Sequence, residues 1–421
     1  MREENDSMFR LNQSLLDLPI YASKAISLQA KSDPSIMNLS FGEPTFGPPE
    51  HLLAEIASED LSLRAFVDSA KRYEDPRGAL ALREAIASWY QRRYGLKVNP
   101  QTEVMVTHGG VEAITLALLC TSEVGDEVAI SDPSYMLYRN TVGALGRRCR
   151  SVTRAAGPLE YAQIFADPRT AEKAVGAAKA MIVNSPENPT GYVVDKADWQ
   201  AIARHSARTG LWIIHDEVYD VMDFKRSHIP AKTVGSLSEG SILINSFSKK
   251  FGLPGLRIGW MVAPERMITL ASKLHDYLYL GVNIQYERIA TRLLADQGNA
   301  SWFSQVVKDI HGRAERAVAD LGEAQGFGWK RAPLGAMFLF PSVRGFYERL
   351  PDEYRAMPGP AGDVVARYLL KQRGVAVVPG SVYGSQGDEH VRMVLCTSEA
   401  VFTNAIDRLR SAADPRSPRH A

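Results

Sequence analysis

The sequence predicts an α/β fold, with a mostly parallel mixed sheet flanked by helices and a smaller α+β unit beside it. Three observations carry this. Short apolar runs of four or five residues recur along the chain, in the length range of buried strands. Helical patterns alternate with them, which favours parallel strands joined by crossovers. Each run is followed at once by polar or glycine-rich residues, as at the strand C-terminal ends where open α/β sheets bind ligands.

Taken in order, the first strong pattern is a helix between Gly78 and Tyr94, where Leu82, Ile86, Trp89 and Tyr90 recur at helical spacing. Glu103–Thr107 (EVMVT) reads as a strand, His108-Gly109-Gly110 as a turn, and Val111–Cys120 as a buried helix. Glu127–Ile130, Ala180–Asn184, Trp212–His215 and Ile242–Asn245 are further strands. From about Thr291 the character changes to long helical patterns, with Ala336–Pro341 and Val375–Pro379 as strands. The stretch Ala356–Gly362 (AMPGPAG) is a loop by composition. The expected organisation is an N-terminal arm over 1–45 belonging to the small domain, a large domain over 46–290, a small domain over 291–410 and a flexible tail over 411–421.

Composition narrows the function classes. At 421 residues the chain is long enough for about two or three domains of ~150 residues. The apolar share of 45% and charged share of 23% are those of a globular protein, which excludes disordered and collagen-like chains. The net charge of +1 gives no basic excess for nucleic acid or anionic lipid. No apolar run approaches the ~18 residues of a membrane span, and the start, MREENDSMFRLNQS, lacks the apolar core of a secretory signal. Cys120, Cys149 and Cys396 are widely spaced, form no Cys-x-x-Cys pair, and are expected to be buried small hydrophobes in a reducing cytoplasm. No metal site is expected.

The segment Ser246–Trp260, SFSKKFGLPGLRIGW, carries the strongest chemical signal. A lysine follows a strand beside small hydroxyls in a glycine-rich turn, with an arginine eight residues on. A lysine amine can form a Schiff base with an aldehyde, and hydroxyls with a planar guanidinium suit a phosphate. On spacing alone a surface turn with solvated charges fits as well. A carboxylate closes the strand WIIH in His215–Tyr219 (HDEVY), where an Asp-Glu pair is by itself a cap or a salt bridge. Asn184–Gly191 (NSPENPTG) is a tight turn after AMIV. In Thr107–Ala113 (THGGVEA) a Gly-Gly turn opens a helix and presents backbone N–H groups to an anion.

Together these segments resemble the class I/II aminotransferases of pyridoxal 5′-phosphate (PLP) fold type I. Every fixed position of that family's lysine signature, Ser-x-Ser-Lys-x-x-Gly-x-x-Gly-x-Arg-x-Gly, is met. The resemblance implies that Lys249, rather than its neighbour Lys250, is the Schiff-base lysine, and that Ser246 and Arg257 hold the cofactor phosphate. It places the partner of the pyridine nitrogen on Asp216, with Glu217 a structural neighbour. It makes Tyr219 and Asn188 donors to the ring's phenolic oxygen. Gly109, Gly110 and Val111 become the phosphate cradle, Tyr135 the aromatic stacked on the ring, and Tyr73 a phosphate ligand of the neighbouring subunit. Arg392 (in HVRMVLC) and Gly42 (in LSFGEPTF) would bind the substrate carboxylate, Arg392 following VVPGSVYG. The chain departs from the family where Ser185 replaces an asparagine, and His108 stands where the family often has one.

The implied enzyme is a homodimer with shared sites that moves an amino group from an amino acid to a keto acid through Lys249. The same residues would support elimination, replacement, cyclisation or oxidation of a bound amino acid in a specialised enzyme of this fold. A ligand-sensing regulator of the same fold would carry a DNA-binding domain first, and only about 38 residues precede Leu39, with no helix-turn-helix pattern. Dicarboxylate-specific members use a second arginine from the partner, and Leu274–Asn283 (LHDYLYLGVN) has none. His275, Asp276, Tyr277 and Tyr279 are the candidates there for the substrate side chain. If Asp276 reaches the substrate, they point to arginine, lysine or an aromatic amino acid rather than aspartate or glutamate, and otherwise Asp276 reads as a solvated charge on a helix surface.

Overall fold

The computed structural model describes residues 11–58, 63–154 and 160–412. Its strands are β1 (Met37–Asn38), β2 (Val104–Thr107), β3 (Glu127–Asp132), β4 (Arg148–Thr153), β5 (Ala180–Asn184), β6 (Trp212–Asp216), β7 (Ser241–Ser246) and β8 (Gly259–Val262), then β9 (Phe338–Leu339), β10 (Val375–Ala376), β11 (Val378–Pro379) and β12 (Val391–Val394). β2 to β8 form one seven-stranded sheet in the order β2-β8-β7-β6-β5-β3-β4. β3 to β7 pair in parallel, and β8 runs antiparallel between β7 and β2. The fold class expected from the sequence is the one observed.

The apolar runs have no polar alternation because both faces of the sheet are covered. Met181 and Val183 of β5 join one core cluster, while Ala180 and Ile182 join the other with Ile214, Ile242 and Ile244. The second cluster is closed by helix Gly109–Thr121 and helix Glu265–Tyr279, through residues such as Ile114, Leu118, Ile268 and Ala271. The first cluster continues without a break into the C-terminal part, through Phe338, Val365 and Leu409.

This topology decides where chemistry can sit. Because β2 to β7 all end at one edge and β8 starts there, that edge collects Thr107, Asp132, Asn184, Asp216 and Ser246, together with the turn before Gly259. Asn184 lies directly beside Asp216 across the ladder.

Several expectations are altered. The strand expected over Val375–Pro379 divides at Val377. Val375–Ala376 pairs in parallel with Met37–Asn38, whereas Val378–Pro379 pairs antiparallel with Val391–Arg392. Pro379 has no N–H and ends that ladder. Ala336–Pro341 shortens to Phe338–Leu339, because Ala336 takes a left-handed φ of 61°. Gly109 and Gly110 are the first residues of their helix and not a separate turn. The loop expected through Gly362 ends earlier, since helix Ala361–Arg373 has begun. The division expected at 290 and 291 falls inside helix Ile284–Ala295, whose start Asn283 caps by accepting from the N–H groups of Gln285 and Tyr286. Helix Glu399–Ala412 takes up the first two residues of the expected tail, and 413–421 lie outside the described residues, as do 1–10 of the arm. Cys396 is buried as expected, but Cys120 and Cys149 are only partly so. Among the described residues no helix is long and apolar enough to cross a membrane.

Candidate active site

The functional side chains stand on the polar edge of the large sheet. Helix Gly109–Thr121 begins there, and the first N–H groups of a helix have no partner within it. Gly109 has φ +76°, and a Cβ on it would lie 2.5 Å from Arg257 Nη2. The guanidinium therefore lies directly against the helix start. Arg257 reaches it from a left-handed backbone (φ 54°), donating from Nη2 to His108 O at 3.1 Å and from Nη1 to Pro254 O at 2.9 Å. Gly259 closes the underside, since a Cβ there would come within 2.5 Å of the Gly109 carbonyl carbon. Ser246 ends β7, its Oγ 2.9 Å from Ser248 Oγ and accepting from Ser248 N at 3.1 Å. Gly110 backs onto Ser246, whose Cβ a Cβ on Gly110 would meet at 3.8 Å. N–H groups, two hydroxyls and one guanidinium thus converge on a site for a doubly charged anion.

Lys249 stands one turn beyond Ser246, part-buried, and donates from Nζ to Gly42 O at 2.6 Å. Burial lowers its pKa below the usual lysine range, and the nearby Arg392 charge acts in the same direction. Lys250 is different in kind. It is fully buried, paired with Asp220, and lies 4.4 Å from the centre of the Trp89 ring. Its amine is committed to structure, which supports the choice of Lys249 as the reactive lysine.

Asp216 ends β6 and is buried. Burial pushes its pKa up to about 6, against the lowering effect of bonds from Tyr138 Oη at 2.6 Å and Val218 N at 3.2 Å. Such a carboxylate gains from a cationic partner. Asn184 Nδ2 donates to Asp216 O at 2.8 Å, and Asn184 Oδ1 accepts from Asn188 N at 2.7 Å. Ser185, the departure from the family loop, is used internally, accepting from Val194 N at 2.9 Å.

Arg392 is buried in β12 and reaches Asn188 Oδ1 at 3.2 Å and Ser40 O at 2.6 Å, while its Nε has no partner. It lies 4.5 Å from the Phe338 ring centre and 5.2 Å from that of Tyr383. Tyr219 is buried against the same Phe338 ring at 5.5 Å, edge-on. Gly42 packs on that ring too, where a Cβ would stand 3.3 Å from Phe338 Cε1. Tyr135 meets Tyr138 edge-on at 5.5 Å and shares a hydroxyl contact with Tyr21.

One chain therefore brings together Lys249, Gly42, Arg392, Asn188, Asp216 and Tyr219, and beside them the group of Gly109, Gly110, Ser246 and Arg257. Val111 is 41% exposed and Tyr73 78% exposed, and both belong to an outer face. His275 turns inward, its Nδ1 2.6 Å from Glu112 Oε1, whereas Asp276, Tyr277 and Tyr279 are exposed on this chain. His108 Nδ1 shares the same carboxylate at 3.0 Å from Oε2. Glu217 is buried between His228 and Tyr90. Sequence reasoning missed Tyr138, Asn184 and Tyr21. Tyr138 was within reach of it, since it follows Tyr135 by three residues and so shares a helical face with the position just before the helix. Tyr21 carries no local signal at all, because only tertiary packing brings it to Tyr135.

The family model described as "Aminotransferase class I and II" matches residues 34–409. An aspartate aminotransferase of Pyrococcus horikoshii is 29% identical over 90% of this chain and 91% of its own length. An aromatic-amino-acid aminotransferase of Thermococcus litoralis is 28% identical over 89% and 90% respectively. Among solved structures, the aspartate aminotransferase from Thermus thermophilus with maleate superposes with a TM-score of 0.82 at 26% identity, covering 96% of this chain and all of the other.

Proposed function

The chain belongs to the class I and II aminotransferases, and from that premise we propose which of its residues carry the reaction. It is an enzyme that uses PLP to transfer an amino group between an L-amino acid and a 2-oxo acid. The residues present fit the cofactor, because the glycine cradle beside Arg257 would be filled by any Cβ, and a buried carboxylate and a part-buried amine stand at the same sheet edge. PLP supplies an aldehyde carbon for an amine and a ring that accepts electrons from the substrate α-carbon.

The phosphate would be held by the N–H groups of Gly109, Gly110 and Val111, the hydroxyl of Ser246 and the fork of Arg257. Asp216 would hold a proton on the ring nitrogen, and Tyr219 and Asn188 would donate to the phenolic oxygen. Tyr135 would cover the ring. Lys249 Nζ would hold the cofactor aldehyde and would carry the substrate α-proton, a role helped by its lowered pKa. Arg392 exchanges its bonds to Asn188 and Ser40 for the substrate carboxylate, beside the backbone of Gly42. The observation that carries this reading is the convergence of Lys249 and Arg392 on carbonyls two residues apart, Gly42 and Ser40. Borohydride reduction and peptide mapping tests it: label on Lys249 is expected, with Lys249→Ala losing both label and turnover, and label on Lys250 would overturn it.

The reading extends to a homodimer with shared sites, in which Tyr73 serves the partner's phosphate. Exposed apolar residues near the cradle support this: Tyr277, Leu278, Tyr279, Leu280 and Val111 are 81%, 52%, 48%, 52% and 41% exposed. The same surface would present Asp276 to the partner's site. Relatives of nearly equal identity are named for aspartate and for aromatic amino acids, and we assign arginine, lysine or an aromatic amino acid as substrate. The lack of arginine in Leu274–Asn283 and the rings around Arg392 support this. Comparing kcat/KM for arginine, phenylalanine and aspartate decides it, and best activity on aspartate would refute it. We place the enzyme in the cytoplasm, where its three free cysteines are stable. Cell fractionation that finds it in an oxidising compartment would refute that. The two-domain division, with the arm in the small domain, is supported by the pairing of Met37–Asn38 with Val375–Ala376.

A further inference from the structure

A second cavity of about 100 Å³ lies beside the catalytic cluster, and none of the residues assigned to the reaction lines it. That is room for several waters or one small organic ion. Arg154, which follows the edge strand β4, is buried in its lining, and Lys330 and Arg331 stand exposed at its rim. Thr190, Gln386 and His390 add polar hydrogens. Its apolar lining comes from Tyr192, Phe340, Pro133 and Ala332.

The polar groups are mostly donors. Arg154 is buried and pairs through Nη2 with Glu187, but its Nε and Nη1 have no partner. His390 Nδ1 is likewise buried and unpartnered. Glu187 already takes Arg154 and Thr190, with Ser131 Oγ 3.3 Å away. Arg331 is balanced by Glu160 at 3.2 Å. Lys330 has no ion-pair partner among the described residues, so the cavity has a net positive charge. Burial, with Lys330 nearby, holds the His390 pKa down at about 4, so its ring is neutral at ordinary pH.

Ring pairs separate this cavity from Arg392. Arg392 lies over Tyr383, Tyr383 meets Phe340 edge-on at 5.9 Å, and Phe340 stacks on His390 at 4.8 Å with planes 10° apart. A ligand here would not reach Lys249. It would touch Thr190, whose hydroxyl is bonded to Glu187, the residue immediately before Asn188.

We propose that this cavity is a second, non-catalytic binding site for a small carboxylate with a flat apolar body. The carboxylate would meet the donors of Arg154 and Lys330, and the flat body would lie against the rings of Tyr192 and Phe340.

The test titrates benzoate into the PLP-loaded enzyme by calorimetry, in wild type, in Arg392→Ala and in a double variant, Lys330→Glu with Arg331→Glu. Both rim residues are exposed, so the double variant keeps its fold. Benzoate is expected to bind wild type and Arg392→Ala alike and to bind the double variant at least tenfold more weakly. Acetate, which has the charge without the ring, is expected to bind wild type at least tenfold more weakly than benzoate. The proposal is overturned if wild type does not bind benzoate, if Arg392→Ala loses it, or if the double variant binds as wild type does. Equal affinity for acetate would overturn the flat apolar body.

Discussion

Asp216 shows how a single residue can be costly to the fold and useful to the reaction. Burial raises its pKa from 3.8 to about 6. Between those values the folded chain holds a proton that the unfolded chain has released, so stability falls as pH rises through that window. Near neutral pH, without the cofactor, the ionised carboxylate costs of the order of 1–3 kcal/mol. A protonated ring nitrogen opposite it would remove that cost, and an electron sink would come with it. Two outcomes follow for Asp216→Asn. The cofactor-free variant should melt several degrees above the cofactor-free wild type at pH 7.5. With cofactor bound, its turnover should fall by about 100-fold or more, the usual scale for losing one aimed electrostatic group. Calorimetry and steady-state kinetics check the two separately. A variant that is less stable without cofactor and fully active with it would contradict both.

At the scale of elements, the phosphate cradle depends on one helix start meeting one turn. Gly109 needs its positive φ, and a Cβ there would push into the Arg257 guanidinium. Gly109→Ala should therefore strain the backbone by about 1–2 kcal/mol and displace Arg257, raising the Kd for PLP at least tenfold in equilibrium dialysis. Unchanged PLP affinity would remove Gly109 from the cradle. Five of the seven strands of the large sheet were legible because each is a short buried run ending in a polar residue, and that same ending marked Asp216 and Ser246, whereas the partly exposed edge strand β4 and the short β8 gave no such run. The small sheets were not. Val375–Pro379 reads as one strand because β-branched residues fill it, and nothing local signals that its two halves take different neighbours. Arg392 could be placed only through family resemblance, since a strand arginine with no partner in sequence reads as a surface charge. Its burial depends on Phe338 and Tyr383, which come from distant segments. The charge partners of Lys250 and Arg154 were equally out of reach, because Asp220 and Glu187 lie 30 and 33 residues away.

At the scale of the whole molecule, the exposed rings beside the cradle set the expected assembly. Tyr279 lies 5.2 Å from the His108 ring, and Gly281 backs onto Glu74, next to Tyr73. This surface is continuous from the cradle to the residue expected to serve a partner. Leu278→Glu with Tyr279→Glu should convert a dimer to a monomer in sedimentation velocity at micromolar concentration and abolish turnover with it. A fully active monomer would refute the shared site. The stretch from Ser40 to Gly42 bears on a different property. Its two carbonyls hold the Arg392 guanidinium and the Lys249 amine, the groups expected to receive the substrate carboxylate and the cofactor aldehyde. The chain's own backbone is thus a rival for both guests, and each guest's apparent affinity is lowered by the strength of the contact it must replace. The rivalry is reciprocal. When a guest takes Arg392 or Lys249, the stretch loses a tether to β12 or to the turn after β7, so loading should loosen this backbone while tightening everything around it. Faster amide hydrogen exchange at 40–45 in the loaded enzyme, against slower exchange in the cradle helix, would be the mark of that trade.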